Sequence, residues 1–151
     1  MHDIAKVVEE LFYNKGWTYS RTDDLTFQFG FRAHDIRFDM QAHIGEDRPT
    51  LVIYLKIPFH TPKEHFPAVA EFICRANWDL VIGNFELDYL DGEIRYKVSA
   101  LYDVHPPEVE EVNQMIDICL AMGYRFYGGF GAVIYGGVFP ETAFLEIEEG
   151  L

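Results

Sequence analysis

The residue types able to do chemistry are few in this chain, and their spacing does not suit it. Six histidines are present. Two flank a glutamate in His60-Thr61-Pro62-Lys63-Glu64-His65. A helical zinc site needs His-x-x-Glu-His or His-Glu-x-x-His, so that both imidazoles share one helix face. Here the spacing is one residue too long and contains a proline, which makes both loop histidines. His34 and His43 fall between or on strands, facing solvent. Cys74 and Cys119 stand far apart in the chain, so the spacing does not support a Cys/His metal site. Both fall on apolar faces of predicted helices and read as buried free thiols, where sulfur is inert.

The nucleophile and phosphate motifs fare no better. Ser20 and Ser99 are the only serines, and neither sits in Gly-x-Ser-x-Gly. Tyr127-Gly128-Gly129-Phe130-Gly131 has the glycines of a dinucleotide loop but no strand before it, and Ile134 stands where a third glycine is needed. Asp35, Asp39, Glu86 and Asp88 are carboxylates at strand spacing. Ion pairs on a solvated face explain them more cheaply than acid–base catalysis, which needs a cleft and a raised pKa. The reading is therefore a protein that is not an enzyme, with no catalytic residue, no metal ligand and no cofactor.

Composition points the same way. The chain has 151 residues, of which 49% are apolar and 16% aromatic, enough for one domain over residues 1–151 with a sizeable core. Its net charge of −13 repels nucleic acid phosphates and anionic lipid. The bases Arg32, Arg37, Arg75, Arg95 and Lys97 look scattered, with no basic patch among them, so nucleic acid is not an expected partner. No apolar run reaches the ~18–20 residues of a membrane span. The N-terminus lacks the basic and apolar regions of a signal peptide, which predicts a cytoplasmic protein.

Periodicity supplies the scaffold. Ile4, Val7, Val8 and Leu11 form one helical stripe from about Asp3 to Lys15, closed by Gly16. Alternation over 25–32, 35–44 and 51–57 predicts three antiparallel strands, the last ended by Pro58. A helix follows between Pro62 and Asn77, with a short first turn and its main part from about Phe66, because Pro67 interrupts the start. Phe66, Val69, Ala70, Ile73, Ala76 and Leu80 form its buried stripe, and Asn77 ends it in a left-handed conformation. Next comes a hairpin. Asp91-Gly92 reads as a two-residue type I′ turn with positive φ at both residues. That turn sets Asp88 against Arg95, Leu87 against Tyr96 and Glu86 against Lys97. A last long helix runs from Glu108 to about Tyr135 through Gly123, a possible kink, and Gly136-Gly137 stops it. Pro140-Glu141-Thr142-Ala143 can begin a short helix. The expected fold is α+β: a two-layer domain with a five-stranded antiparallel sheet in the order α-βββ-α-ββ-α.

Arg75-Ala76-Asn77 at a helix end, Gly83-x-Phe85-x-Leu87 and Asp91-Gly92-Glu93-Ile94-Arg95-Tyr96 together resemble the YbjN family of bacterial proteins. The resemblance covers roughly Leu51 to Ala143. It implies the fold of type III secretion chaperones and a sensory or regulatory role, with no catalytic residues to carry over.

Two sites follow as expectations. Gly128, Ala132 and Gly136 recur every four residues, so one edge of the last helix has almost no side chains, with Tyr124 and Tyr135 flanking it. That edge meets either its own sheet or a second copy across a two-fold axis, and the resemblance also points to a homodimer. The leading reading is a non-enzymatic, homodimeric adaptor for a protein or peptide partner. The alternative is a sensor that takes a small apolar ligand between the last helix and the sheet, in a pocket lined by Tyr96, Tyr127 and Phe130.

Overall fold

The computed structural model describes residues 2–150. In chain order the elements are α1 (His2–Lys15), β1 (Ser20–Asp23), β2 (Thr26–Ala33), β3 (Ile36–Gly45), β4 (Thr50–His60), α2 (Phe66–Asp79), β5 (Asn84–Leu87), β6 (Glu93–Leu101), α3 (Val109–Ile134) and α4 (Pro140–Glu148). A 3-10 turn, Lys63–His65, leads into α2. The six strands form one antiparallel sheet in the order β1-β2-β3-β4-β6-β5. Alternate residues of each long strand are buried against the helices, among them Phe27, Phe38, Met40, Ile53, Leu55, Ile94 and Tyr96.

The sheet has six strands where five were expected. Ser20-Arg21-Thr22-Asp23 has no apolar alternation, and all four residues are exposed. The strand is held by pairing with β2 and by Arg21, whose guanidinium reaches Glu9 at 2.8 Å and lies 4.1 Å over the Phe27 ring. The short helix expected from Pro140 forms as α4, nine residues packed on α2 and α3, and it adds a fourth helix to the expected order. Arg75–Glu141 at 3.7 Å and Arg125–Glu148 at 3.2 Å tie it down. Strand β4 also runs past Pro58 to His60. The proline sits exposed in an irregularity between Ile57 and His60, where no ladder bond is needed from it.

The two-residue turn with both φ positive exists, but between β2 and β3. His34 has φ 48° and Asp35 φ 71°, with Ala33 paired to Ile36. At the other hairpin only Gly92 is positive, at 83°. The loop there is wider: Asp88 N–H donates to the Glu93 carbonyl at 2.9 Å, and Gly92 N–H donates to the Asp88 carbonyl at 2.7 Å. Phe85 therefore faces Tyr96, Glu86 faces Arg95 and Leu87 faces Ile94. The expected pairing of Asp88 with Arg95 is wrong by two residues. Because side chains alternate with period two, that shift preserves which face each residue occupies. Tyr89 and Leu90 fall in the loop, and Leu90 is 95% exposed. The cause is tertiary. The Gly92 carbonyl accepts from Thr61 N–H at 2.9 Å, and a Cβ on Gly92 would stand 2.3 Å from the Thr61 carbonyl oxygen. This contact with the end of β4 selects the wider turn.

Candidate interaction surfaces

Helix α3 is unbroken from Val109 through Gly123 to Ile134. Glu108 and Glu111 close a capping box at its start. The dinucleotide-like glycines lie inside this helix, so they form no phosphate loop. Gly123 and Gly129 face inward, where a Cβ would meet Leu55 at 2.7 Å and Phe72 at 2.5 Å respectively. Gly128 is different: it is exposed, and a Cβ there would meet nothing within 4 Å. Ala132 is half-buried one turn on. Gly136 does not continue the edge, because the helix ends at Ile134 and Gly137, at φ 65°, turns the chain away. The expected three-residue edge is thus two residues long. Tyr124 stacks on His34 at 4.3 Å with 46% exposure, and Tyr135 lies edge-on to Phe59 at 5.5 Å with 69% exposure. Phe59 also stacks on Tyr127 at 4.8 Å. The edge is therefore an aromatic-walled strip of low relief.

The structure does not bring Tyr96, Tyr127 and Phe130 together around a pocket. Tyr96 and Phe130 are fully buried, and the Phe85 ring stands between them at 5.1 and 5.3 Å. Tyr127 belongs to the Phe59 cluster instead. Burial pushes the Tyr96 hydroxyl up to about 12, and it donates to the Ile82 carbonyl. Cys119 is buried as expected, its thiol pKa raised by burial. Cys74 is exposed, contrary to expectation.

Cys74 lies on a surface that the helical stripe did not predict. With Trp78, Arg75, Asp79 and Phe144 it lines a groove of ≈ 290 Å³ between α2 and α4. Trp78 is 88% exposed, and Val81 and Ile82 follow it into solvent. A signal was available, since Trp78 lies off the Phe66–Val69–Ile73–Ala76 stripe. Without α4 in place, however, nothing in the sequence distinguishes a groove there from an isolated exposed tryptophan. Asn77 was expected to terminate the helix in a left-handed conformation and does not. It stays helical, and its carboxamide reaches β5: Nδ2 donates to the Phe85 carbonyl at 3.1 Å, and Phe85 N–H donates to Oδ1 at 2.8 Å. Phe85 turns these groups outward on the sheet edge, so Asn77 stands where another strand would pair. Two of the motifs that carried the family resemblance meet in this contact.

The sheet face away from the helices corrects the reading of scattered bases. Strand alternation collects Arg32, Arg37, Lys56, Arg95 and Lys97 there, with Asp23, Asp39, Glu86 and Glu93. Glu86 takes Arg95 at 2.8 Å and Lys97 at 3.0 Å. Burial alone would raise the Glu86 pKa, but these two cations outweigh it and hold the carboxyl below the usual range. His43 is half-buried on this face, its Nδ1 3.0 Å from the Thr26 hydroxyl. Among the described residues no group of three or more His, Cys, Asp or Glu could hold a metal ion, and no helix is long and apolar enough to cross a membrane.

A chain from the structure titled "Crystal Structure of the ExsC-ExsE Complex" superposes with a TM-score of 0.61 at 12% identity, covering 83% of this chain and 92% of that one. A chain from "Structure of the HopA1-SchA Chaperone-Effector Complex" gives 0.61 at 11% identity, covering 85% and 97%. At such identities the likeness is one of fold. No curated protein matches the sequence. Residues 5–132 match the model of the YbjN family, described as "Putative bacterial sensory transduction regulator", and the chain belongs to that family.

Proposed function

We propose that this chain is a non-enzymatic protein-binding adaptor, chaperone-like or regulatory in kind, that works in the cytoplasm as a homodimer. The observation that carries the reading is the edge of α3 at Gly128, open to solvent and walled by Tyr124 and Tyr135. Among the described residues nothing lies within 4 Å of a Cβ at Gly128. A two-fold partner can bring its own backbone close there, and the exposed tyrosines bury apolar area at low entropic cost. The shared fold with chains of one chaperone–effector complex and of the ExsC–ExsE complex supports a protein as the ligand. The filled interior between Tyr96 and Phe130 gives a small apolar ligand no comparable place.

The test is Ala132→Leu. Ala132 lies beside the open edge, so the added bulk obstructs a second subunit more than its own core. Sedimentation should pass from dimer to monomer while circular dichroism stays near wild type. A wild-type chain that sediments as a monomer at micromolar concentration overturns the homodimer reading. So does a variant that keeps both its assembly and its melting curve.

A further inference from the structure

We propose that the open face of the sheet binds an acidic, extended segment of a partner protein. The proposal rests on the protein-binding reading but places this partner on a different face from the α3 edge. Charge is the first argument. The face holds five of the twelve basic side chains but only four of the twenty-five acidic ones, Asp23, Asp39, Glu86 and Glu93. It is the basic surface of an acidic molecule.

The arrangement of those bases is the second argument. Arg32 stands directly opposite Arg37, and Lys56 directly opposite Arg95. Like charges in cross-strand pairs destabilise a sheet. Breaks in a local rule are expected where function requires them. The second pair is compensated: Glu93 reaches Lys56 at 2.9 Å, Glu86 holds Arg95, and Arg95 lies 4.2 Å over the Tyr54 ring. The first pair is not. Arg32 has no ion pair among the described residues, and the Arg37 contact with Asp39 is 3.4 Å long between side chains 60% and 72% exposed. Gly30 lets Arg37 lie down on the sheet, since a Cβ there would stand 2.7 Å from Nη2. A guanidinium held this way is set to take a carboxylate through two parallel hydrogen bonds.

The third argument is the hydrogen-bonding surface between the charges. Ser20, Gln28, Gln41, Tyr54, Lys97 and Asn84 form one row across all six strands. These side chains can bond a peptide backbone without regard to its sequence. A depression of ≈ 490 Å³ opens over the row, lined by Arg37, Lys56 and Arg95 against Asp39 and Glu93. Six strands span roughly 24 Å, the length of about seven extended residues. A polynucleotide fits less well, because the net charge of −13 opposes a phosphate on every residue.

The experiment is fluorescence anisotropy of the full chain with a labelled peptide of about seven residues alternating Glu and Thr, a length set by the strand spacing. The expected result is saturable binding that weakens with salt. Arg32→Gln combined with Arg37→Gln should weaken it by at least about tenfold. The same pair should leave the melting temperature unchanged or higher, since it removes a like-charge contact. Arg125→Gln, on the helical side, should leave binding intact. The proposal is overturned if the chain does not bind the peptide, binds a Lys-Thr peptide equally, or binds normally with both arginines replaced. It is also overturned if oligothymidylate binds more tightly, which assigns the face to nucleic acid. Self-association that competes with the peptide and vanishes in the double variant assigns it to a second copy instead. Dissociation of the dimer by Ala132→Leu is read independently, so the homodimeric adaptor reading can stand while this one fails.

Discussion

Replacing Asn77 with alanine removes both hydrogen bonds that join α2 to the outer edge of β5. The Phe85 N–H and carbonyl then lose partners at 2.8 and 3.1 Å in a half-buried setting. A typical intramolecular hydrogen bond contributes about 0.5–1.5 kcal/mol net, so the pair is worth roughly 1–3 kcal/mol. For a chain of this size each kcal/mol moves the melting temperature by about 2–4 °C, and a loss near ~2 kcal/mol predicts a fall of roughly 4–8 °C. Asn77→Asp separates the two bonds. It keeps an acceptor for Phe85 N–H but sets a carboxylate against the Phe85 carbonyl, so it should not recover wild-type stability. Thermal denaturation followed by circular dichroism gives the shift, and hydrogen exchange at the Phe85 amide locates it. A melting temperature within about 1 °C of wild type, together with unchanged exchange at Phe85, would refute the claim that the carboxamide holds this edge.

Gly92→Val should cost more than about 2 kcal/mol, because a β-branched residue resists φ 83° and its Cβ would collide with the Thr61 carbonyl; an unchanged urea midpoint would count against this. Two adjacent glycines of α3 should respond with opposite signs. Gly128→Ala, in open space, should raise stability by up to about 1 kcal/mol, whereas Gly129→Ala, wedged against Phe72 and Ile147, should lower it by about 1–3 kcal/mol; matching shifts in a melting experiment would contradict the placement of both. The depressed Glu86 pKa makes a pH prediction. A group whose folded pKa lies below its unfolded value stabilises fully above the unfolded value of about 4.5 and loses that contribution as pH falls through the folded one. Glu86→Gln should therefore flatten the acid limb of stability below about pH 5. An identical limb in the variant would show that Glu86 does not carry it.

Much of the architecture was legible because alternation and helical stripes are local signals. Phe27, Phe29, Phe38, Met40, Ile53 and Leu55 announce a half-buried sheet, and the Val112–Ile116–Cys119 stripe announces the long helix, whatever surrounds them. Gly16 and Gly137 mark helix ends for a reason internal to the backbone, since both take positive φ. Tertiary structure decided what depends on a partner elsewhere in the chain. Strand β1 exists because β2 pairs with it and Glu9 holds Arg21, and no periodicity in Ser20–Asp23 could show that. The Asp91-Gly92 loop widened because Thr61 bonds Gly92 across the fold, while His34-Asp35 took the tight turn. Tyr96 and Phe130 lost their expected pocket to the Phe85 ring. The basic face was written at every second position of four strands; Arg32 and Arg37 meet within the β2–β3 hairpin, yet they join Lys56, Arg95 and Lys97 only when β4 pairs with both β3 and β6. Side chains from separate hairpins then share one surface, and their electrostatics follows from that juxtaposition rather than from order along the chain.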